Sequence, residues 1–258
     1  MSEAKPTGYM TLWEHLEELR KVILRMVIAV AVAGVLVFCF KDWTFRLLLA
    51  PKEWDFVTYR VLERLMLLVH YDFHFEPYHV RLISTDLSAQ FMMHLTASFV
   101  LGVLVASPYI IYQLFSFVSP ALYERERRYA VPILGVMYAL FVIGVLMNYF
   151  ILFPIAFRFL GTYQVSPDIE NTITLESYVT TFASLTLVMG LVFQLPVLVW
   201  ILSRMGLVSA SLLKTYRRHA LVVIMIVSAI ITPPDVFTLI LVTVPLYGLY
   251  ELSIRVIR

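Results

Sequence analysis

Two clusters of carboxylates, far apart in the chain, carry the chemistry that this sequence could perform. The first contains Glu14, Glu17 and Glu18, and Glu14 and Glu18 share one face of a predicted helix because they are four positions apart. The second contains Glu124 and Glu126, which alternate with arginines. Carboxylates accept the forked donors of arginine in bidentate geometry, so both clusters are candidates for binding a cationic peptide. A solvated loop is the alternative interpretation of the second cluster, and composition alone favours the loop.

Polar residues within or between apolar runs form the remaining candidates. Gln194 is a strongly polar amide deep in a long apolar run, where a polar group usually faces a cavity or another helix. Two interpretations of Gln194 stay open, a packing hydrogen bond within the chain and a hydrogen bond to a partner helix. Pro233, Pro234 and Asp235 form a turn between the last two apolar runs, because paired prolines end a helix.

Enzyme motifs are missing from the sequence, which has no G-x-S-x-G and no H-E-x-x-H string. His70, His74 and His79 have spacings that could meet a metal, but without a nearby cysteine they are interpreted as exposed loop residues. We therefore expect no catalytic residue, no metal and no cofactor. His94, near the end of an apolar run, is interpreted as a membrane-interface residue. A net charge of +2 without a basic stripe gives no support for nucleic-acid binding.

The elements that must position these residues are long apolar segments. Hydrophobic residues make up 60% of the chain, whereas a soluble domain normally contains about 45–50%. A helix needs about 20 apolar residues to cross the hydrocarbon layer, and several runs without Asp, Glu, Lys or Arg exceed this length. The fold class is therefore an all-α, multi-pass membrane protein with one domain, 1–258. Six spans are predicted, at about 22–40, 90–118, 130–157, 179–203, 217–232 and 236–254.

Charge and proline positions predict how the spans are oriented and bent. Basic residues concentrate at one set of span ends, while the connection 41–89 has more acidic than basic residues, so both termini are predicted to be cytoplasmic. Prolines in most spans predict kinked helices and a curved wall. Between Arg218 and Asp235 there are about 16 residues, or about 24 Å of helix, so we expect the last two helices to be short and the bilayer to thin there.

The connection 41–89 contains one segment with helical periodicity. Apolar residues recur every three or four positions between 56 and 69, and charged residues cluster on another face. This pattern predicts an amphipathic helix lying along the outer membrane surface. Its predicted apolar face consists of Phe56, Tyr59, Leu62, Met66 and Val69.

Six strings of the sequence, in order, resemble the TatC family, the large membrane subunit of the twin-arginine protein translocase. They lie at 15–20, 108–113, 117–123, 126–128, 193–196 and 232–237. The resemblance covers the chain from about 12 to 254, and six ordered matches are far more specific than any single motif. It implies a glove-shaped, six-span receptor in the bacterial cytoplasmic membrane that binds the paired arginines of signal peptides at its cytoplasmic face.

The resemblance also implies roles for individual residues and partners. Glu18 and Glu126 match the family's signal-peptide-binding glutamates, and Arg20 and Phe117 fall on positions that matter for engaging the peptide. Asp235 matches the acidic residue at the outer tip of the last hairpin. Single-span subunits resembling TatA and TatB, assembled in an oligomeric complex driven by the proton-motive force, are the implied partners.

One residue departs from the family pattern, and one other function class stays open. The family pattern has a glutamate in the fourth span where this chain has Gln194, so we expect Gln194 to form a hydrogen bond with a partner helix and not to carry a titratable proton. The competing class is a small-solute secondary transporter. Such proteins usually show repeated halves and paired ionisable residues at mid-membrane, which the sequence lacks.

Overall fold

The computed structural model describes residues 12–68, 76–78, 80–118, 130–166, 168 and 171–257. The fold is all-α and multi-pass, as the composition predicts. Helices in the described residues are numbered in chain order: α1 Leu12–Cys39, α2 Lys41–Leu49, α3 Val57–Leu68, α4 Ala89–Val118, α5 Ala130–Met147, α6 Phe153–Thr162, α7 Leu175–Val192, α8 Leu195–Arg204, α9 Ala210–Thr215, α10 Arg217–Ile231 and α11 Val236–Val256.

Five helical stretches in the described residues are long and apolar enough to cross a membrane. They run through α1, α4, α5 with α6, α7 with α8, and α11. The sixth predicted span is α10, whose 15 residues reach only about 22 Å. Its partner α11 has 21 residues and reaches about 32 Å, because Pro245 lies inside the helix without ending it. The expectation of two short final helices therefore holds for α10 alone, and local thinning of the bilayer stays a prediction.

Prolines interrupt the third span, as predicted, and the interruption creates a docking site. A π-helical segment, Asn148–Leu152, joins α5 to α6, and Pro154 follows it. Proline has no N–H to donate to the carbonyl one turn earlier, which belongs to Phe150. The Thr58 hydroxyl of α3 donates a hydrogen bond to that carbonyl instead. The third span and α3 are thus joined at the Phe150 carbonyl, for which Pro154 provides no backbone donor.

Helix α3 packs on the third span with part of its predicted apolar face. Phe56 and Tyr59 are buried, and the Tyr59 hydroxyl donates to the Pro154 carbonyl at 2.7 Å. A second apolar stripe, Val57, Val61, Leu65 and Leu68, is exposed. That α3 lies along the membrane surface remains a prediction, now with this stripe toward lipid.

An arginine from the third span, Arg158, closes a cap over α3. The Arg158 guanidinium lies over the rings of Tyr59 and Tyr78, 5.1 and 4.7 Å from their centroids, and donates to the Glu76 carbonyl at 2.9 Å. Burial is the largest cause that raises the pKa of Tyr59 and of Tyr78. Both phenols therefore stay protonated at neutral pH and act as donors. A two-residue parallel pairing of Leu82–Ile83 with Ile173–Thr174 completes the cap.

Replacing Tyr59 by phenylalanine is expected to lower the free energy of unfolding by about 1 kcal/mol, because the Pro154 carbonyl loses a buried donor. Unfolding in mixed micelles with increasing SDS measures this change. Tyr163→Phe is the matched control, since Tyr163 is 62% exposed. An equal loss in both variants would mean that the hydroxyl of Tyr59 has no special role.

The first span and α4 pack backbone against backbone. A Cβ atom added at Gly102 would lie 2.7 Å from the Gly34 nitrogen and 2.8 Å from its Cα, which is closer than any side chain tolerates. At the other end of the same interface, Phe38 stacks on His94 with ring centroids 4.0 Å apart. His94 is only 8% exposed, and its location at the membrane interface stays a prediction. Phe38, a residue distant in sequence, covers its ring.

A second close contact holds the centre of the bundle. At Gly144 in α5 an added Cβ would lie 2.5 Å from the Met189 carbonyl of α7. Asn148, at the start of the π-helical segment, is fully buried and donates to the Thr186 hydroxyl at 2.8 Å. Thr186 in turn donates to the Phe182 carbonyl. Glycine and a buried hydrogen bond thus fix α5 against α7, as expected where helices meet in lipid.

Candidate functional site

The start of α1 and the end of α4 meet at one end of the bundle. The two helices run antiparallel, and their glycine contact holds them close along their length. At this end the His15 ring stacks on the Phe117 ring, with centroids 4.5 Å apart and an interplanar angle of 26°. The first acidic cluster is therefore attached to the end of α4, from which residues 119–129 lead into α5.

Glu18 lies on the face of α1 that is turned toward α4. The buried residues of this helix are Val22, Ala33 and Val37, and Glu18 continues their stripe one turn before Val22. Its side chain is half-buried. Within the described part of the chain, Glu18 forms no ion pair.

The other charged residues of the first cluster differ from Glu18. Glu17 pairs with Lys21 at 2.9 Å on the exposed side of α1. Arg20 is exposed and lies on a different face from Glu18. The side chain of Glu14 and all of Glu126 lie outside the described residues. The structure thus brings His15, one helical turn before Glu18, together with Phe117, and it leaves the roles of Glu18, Glu14 and Glu126 as predictions.

The arrangement offers two kinds of contact to a guanidinium group. Glu18 supplies two acceptor oxygens, and the His15–Phe117 pair supplies ring faces about one helical turn away. Arginine forms bidentate bonds with carboxylates and also stacks on aromatic rings, whereas lysine is a point charge. The site is therefore better suited to arginine than to lysine. Sequence reasoning named Glu18 and Phe117 but missed their connection through His15, because the stack joins residues far apart in the chain.

Gln194 takes part in a hydrogen bond within the bundle. It lies in the turn between α7 and α8, and its Nε2 donates to the Met137 carbonyl of α5 at 3.0 Å. Its Oε1 is buried and has no hydrogen-bond partner in the described residues. A hydrogen bond within the bundle therefore accounts for the amide nitrogen of Gln194, whereas its amide oxygen has no donor among the described residues.

The hairpin tip between α10 and α11 has a structural explanation. The Asp235 carboxylate accepts from the Thr238 backbone N–H at 2.6 Å and so caps α11. Phe237 stacks on Phe159 of α6 with centroids 4.1 Å apart, which attaches the tip to the third span. Pro233 is half-buried and Pro234 is exposed. The Asp-x-x-Thr spacing after two prolines could have predicted the cap.

Among the described residues, no group of three or more His, Cys, Asp or Glu side chains could hold a metal ion. His70, His74 and His79 lie outside the described residues, so their interpretation as loop residues stays a prediction.

Comparison with known proteins gives one consistent family. A family model described as Sec-independent protein translocase protein (TatC) matches residues 14–245. The TatC protein of Carboxydothermus hydrogenoformans is 35% identical over 258 residues, which cover 99% of this chain and 95% of the relative. The TatC protein of Blattabacterium from Periplaneta americana is 34% identical over 251 residues, covering 96% and 94% respectively.

A solved structure matches the fold over almost the same extent. The crystal structure of the twin arginine translocase receptor TatC superimposes with a TM-score of 0.76 at 30% sequence identity. The match covers 94% of this chain and 97% of the other.

Proposed function

The chain belongs to the TatC family of Sec-independent protein translocase proteins, and from this premise we propose that it is the receptor that binds twin-arginine signal peptides for the export of folded proteins. Members of this family are components of a protein translocase and not enzymes. In our proposal the twin arginines bind Glu18 and Glu126 at the cytoplasmic face. Glu14, Arg20 and Phe117 line the same site.

The observation that carries this proposal is the stack of His15 on Phe117. It attaches the turn of α1 before Glu18 to the end of α4, and Glu126 follows that end in sequence. Two carboxylates at one end of the bundle could each accept one guanidinium group. The arginines beside Glu126 would repel a cationic peptide, so binding would depend on these carboxylates specifically.

Orientation in the bacterial cytoplasmic membrane is a second part of the proposal. Arg20, Lys21 and Arg25 near the start of α1, and Arg204 at the end of α8, belong to the ends where basic residues concentrate. The positive-inside rule assigns these ends, and with them both termini, to the cytoplasm. Signal peptides would then meet the receptor before their cargo crosses the membrane.

Single-span subunits resembling TatA and TatB are the proposed partners, assembled with this chain in an oligomeric complex that uses the proton-motive force. Gln194 is the proposed contact with such a subunit, because its Oε1 has no donor in the described residues; this oxygen is buried in the single chain, so the contact requires neighbouring side chains to move. A hydroxyl or amide from a partner helix would supply the missing donor.

Replacing Gln194 by leucine is expected to weaken assembly with a TatB-like subunit by about 1 kcal/mol, the usual size of a polar contact between membrane helices. Co-purification at graded detergent concentration measures the change. Thr243→Val is the control, because the hydroxyl of Thr243 donates within the bundle to the Leu239 carbonyl. Unchanged assembly of the Gln194 variant would restrict this residue to packing against Met137.

The proposed receptor role is tested with the intact protein in detergent. A peptide with a twin-arginine signal and its twin-lysine version are compared by fluorescence anisotropy. Tighter binding of the arginine peptide is expected because only arginine offers bidentate donors. Equal affinity for the two peptides would contradict the proposal.

A further inference from the structure

Two polar side chains are buried in the contact between α1 and α4, at the end of this helix pair opposite to Glu18. His94 and Ser98 of α4 are 8% and 3% exposed. They are four positions apart and therefore lie on one face of α4, one turn from each other. The Nε2 atom of His94 and the Oγ atom of Ser98 are both buried without a hydrogen-bond partner among the described residues. Because burying an unpartnered polar atom is costly, a partner for each of them is expected.

Aromatic rings enclose the imidazole of His94. Phe38 of α1 stacks on it with ring centroids 4.0 Å apart and an interplanar angle of 13°. Phe45 of α2 lies at a tilted angle, with a centroid distance of 5.6 Å. Phenyl rings cover the apolar surface of an imidazole, but they supply no nitrogen or oxygen for its hydrogen bonds. The partner of Nε2 must therefore come from another direction, at the edge of the ring.

The hydroxyl of Ser98 differs from several other buried hydroxyls of the bundle. Thr186, Thr243 and Ser253 each donate to the carbonyl four residues earlier in their own helix. The corresponding acceptor for Ser98 is the His94 carbonyl, and the Ser98 hydroxyl forms no hydrogen bond with it. A serine that does not bond to its own helix needs an acceptor elsewhere.

A glycine on α1 leaves room beside Ser98. Beyond the neighbouring residues of its own helix, a Cβ atom added at Gly34 would meet only one atom of the described residues within 4 Å, the Ser98 carbonyl oxygen at 3.6 Å. This distance is an ordinary van der Waals contact, so a methyl group would fit there. A water molecule, whose share of liquid volume is about 30 Å³, needs a similar space.

We propose that the contact between α1 and α4 holds one internal water molecule beside Gly34. The water bonds to Nε2 of His94 and to Oγ of Ser98, and the Ser98 carbonyl oxygen is a third partner, since a buried water typically makes about three hydrogen bonds. Because water is both a donor and an acceptor, it satisfies the Ser98 hydroxyl and either tautomer of His94. The site is independent of signal-peptide binding, which is proposed for the other end of the same helix pair.

Water-edited solid-state NMR of the full-length protein in lipid bilayers tests this site. The protein is labelled with ¹⁵N in its histidine rings, and the signals of His94 are identified by their loss in His94→Gln. Magnetisation is transferred from water protons to the ring nitrogens, and its rate reports water next to each nitrogen. Rapid transfer to Nε2 of His94 is expected, although this residue is only 8% exposed.

Two variants remove the water from opposite helices. Gly34→Ala places a methyl group in the proposed water position, and Ser98→Ala removes one of the hydrogen-bond partners. Both variants should abolish the rapid transfer to His94. The alanine at position 34 meets no atom of the described residues closer than 3.6 Å, so Gly34→Ala carries the test if Ser98→Ala is unstable.

Matched controls change the same kinds of residue away from the water. Thr96→Val removes a hydroxyl of α4 that already donates to the Met92 carbonyl. Gly135→Ala adds a methyl group to α5, where it would meet no atom within 4 Å. Both controls should keep the rapid transfer to His94.

Three results would overturn the proposed water site. Slow transfer to Nε2 of His94 in the wild-type protein would mean that no water is bound to it. Unchanged transfer in both Gly34→Ala and Ser98→Ala would mean that any water at His94 lies elsewhere. A loss in Thr96→Val as large as in Ser98→Ala would show that the transfer depends on the general packing of α4 and not on a defined site.

Discussion

Replacing Glu18 by alanine is expected to weaken binding of a twin-arginine signal peptide by about 1.5–3 kcal/mol, the contribution of a hydrogen bond to a charged group. The side chain of Glu18 is half-buried one helical turn after His15, whose ring stacks on Phe117, and within the described residues Glu18 forms no ion pair. Glu126→Ala is expected to have an effect of the same size. Titration of the full-length protein with a labelled peptide measures both changes.

The matched control for this prediction is Glu17→Ala. It removes the same charge one residue away, but the carboxylate of Glu17 is already paired with Lys21. Its loss should therefore change peptide affinity little. A decrease in the Glu17 variant as large as that in the Glu18 variant would show that overall charge, and not a defined site, controls binding.

Replacing Gly102 by alanine is expected to destabilise the protein by about 1–3 kcal/mol, the cost of adding a methyl group to a tightly packed interface. The added Cβ would lie 2.7 Å from the backbone nitrogen of Gly34, and two helix backbones cannot shift locally to avoid it. Because this contact holds α1 against α4, peptide binding at Glu18 should decrease as well. Unfolding in SDS micelles and peptide titration measure the two effects.

Gly135→Ala provides a control with the opposite expected sign. A Cβ at Gly135 would meet no atom within 4 Å, and alanine favours a helix over glycine by up to about 1 kcal/mol. Gly135→Ala should therefore leave stability unchanged or raise it. If Gly102→Ala behaves in the same way, the contact between α1 and α4 is not as tight as the structure indicates.

Local signals in the sequence were enough to predict most of the helices. The runs without charged residues predicted the membrane spans, and Pro233 with Asp235 predicted the end of α10 and the start of α11. These predictions succeeded because each signal acts within a few residues. The helix at α3 was predicted for the same reason. The face of α3 that packs on the third span was not predicted, because the helix has two apolar stripes. The deciding contact is the Thr58 hydroxyl on the Phe150 carbonyl, which lies far away in sequence.

Contacts between distant segments limited the prediction of the site in the same way. Glu18 could be singled out from its motif, but its position beside Phe117 depends on the His15 stack and on the approach of Gly102 to Gly34. Neither glycine carries a distinctive local pattern. For Gln194 the sequence left two interpretations open, and the structure assigns the amide nitrogen to Met137 while leaving the oxygen for a partner.

The central claim is that two carboxylates, at Glu18 and Glu126, select arginine pairs over lysine pairs. The most direct test is the ratio of affinities for a twin-arginine and a twin-lysine signal peptide, measured on the purified double variant Glu18→Ala with Glu126→Ala. The ratio should fall close to one, because bidentate acceptors are lost while the rest of the fold is kept. A double variant that still prefers the arginine peptide by the wild-type margin would contradict the claim.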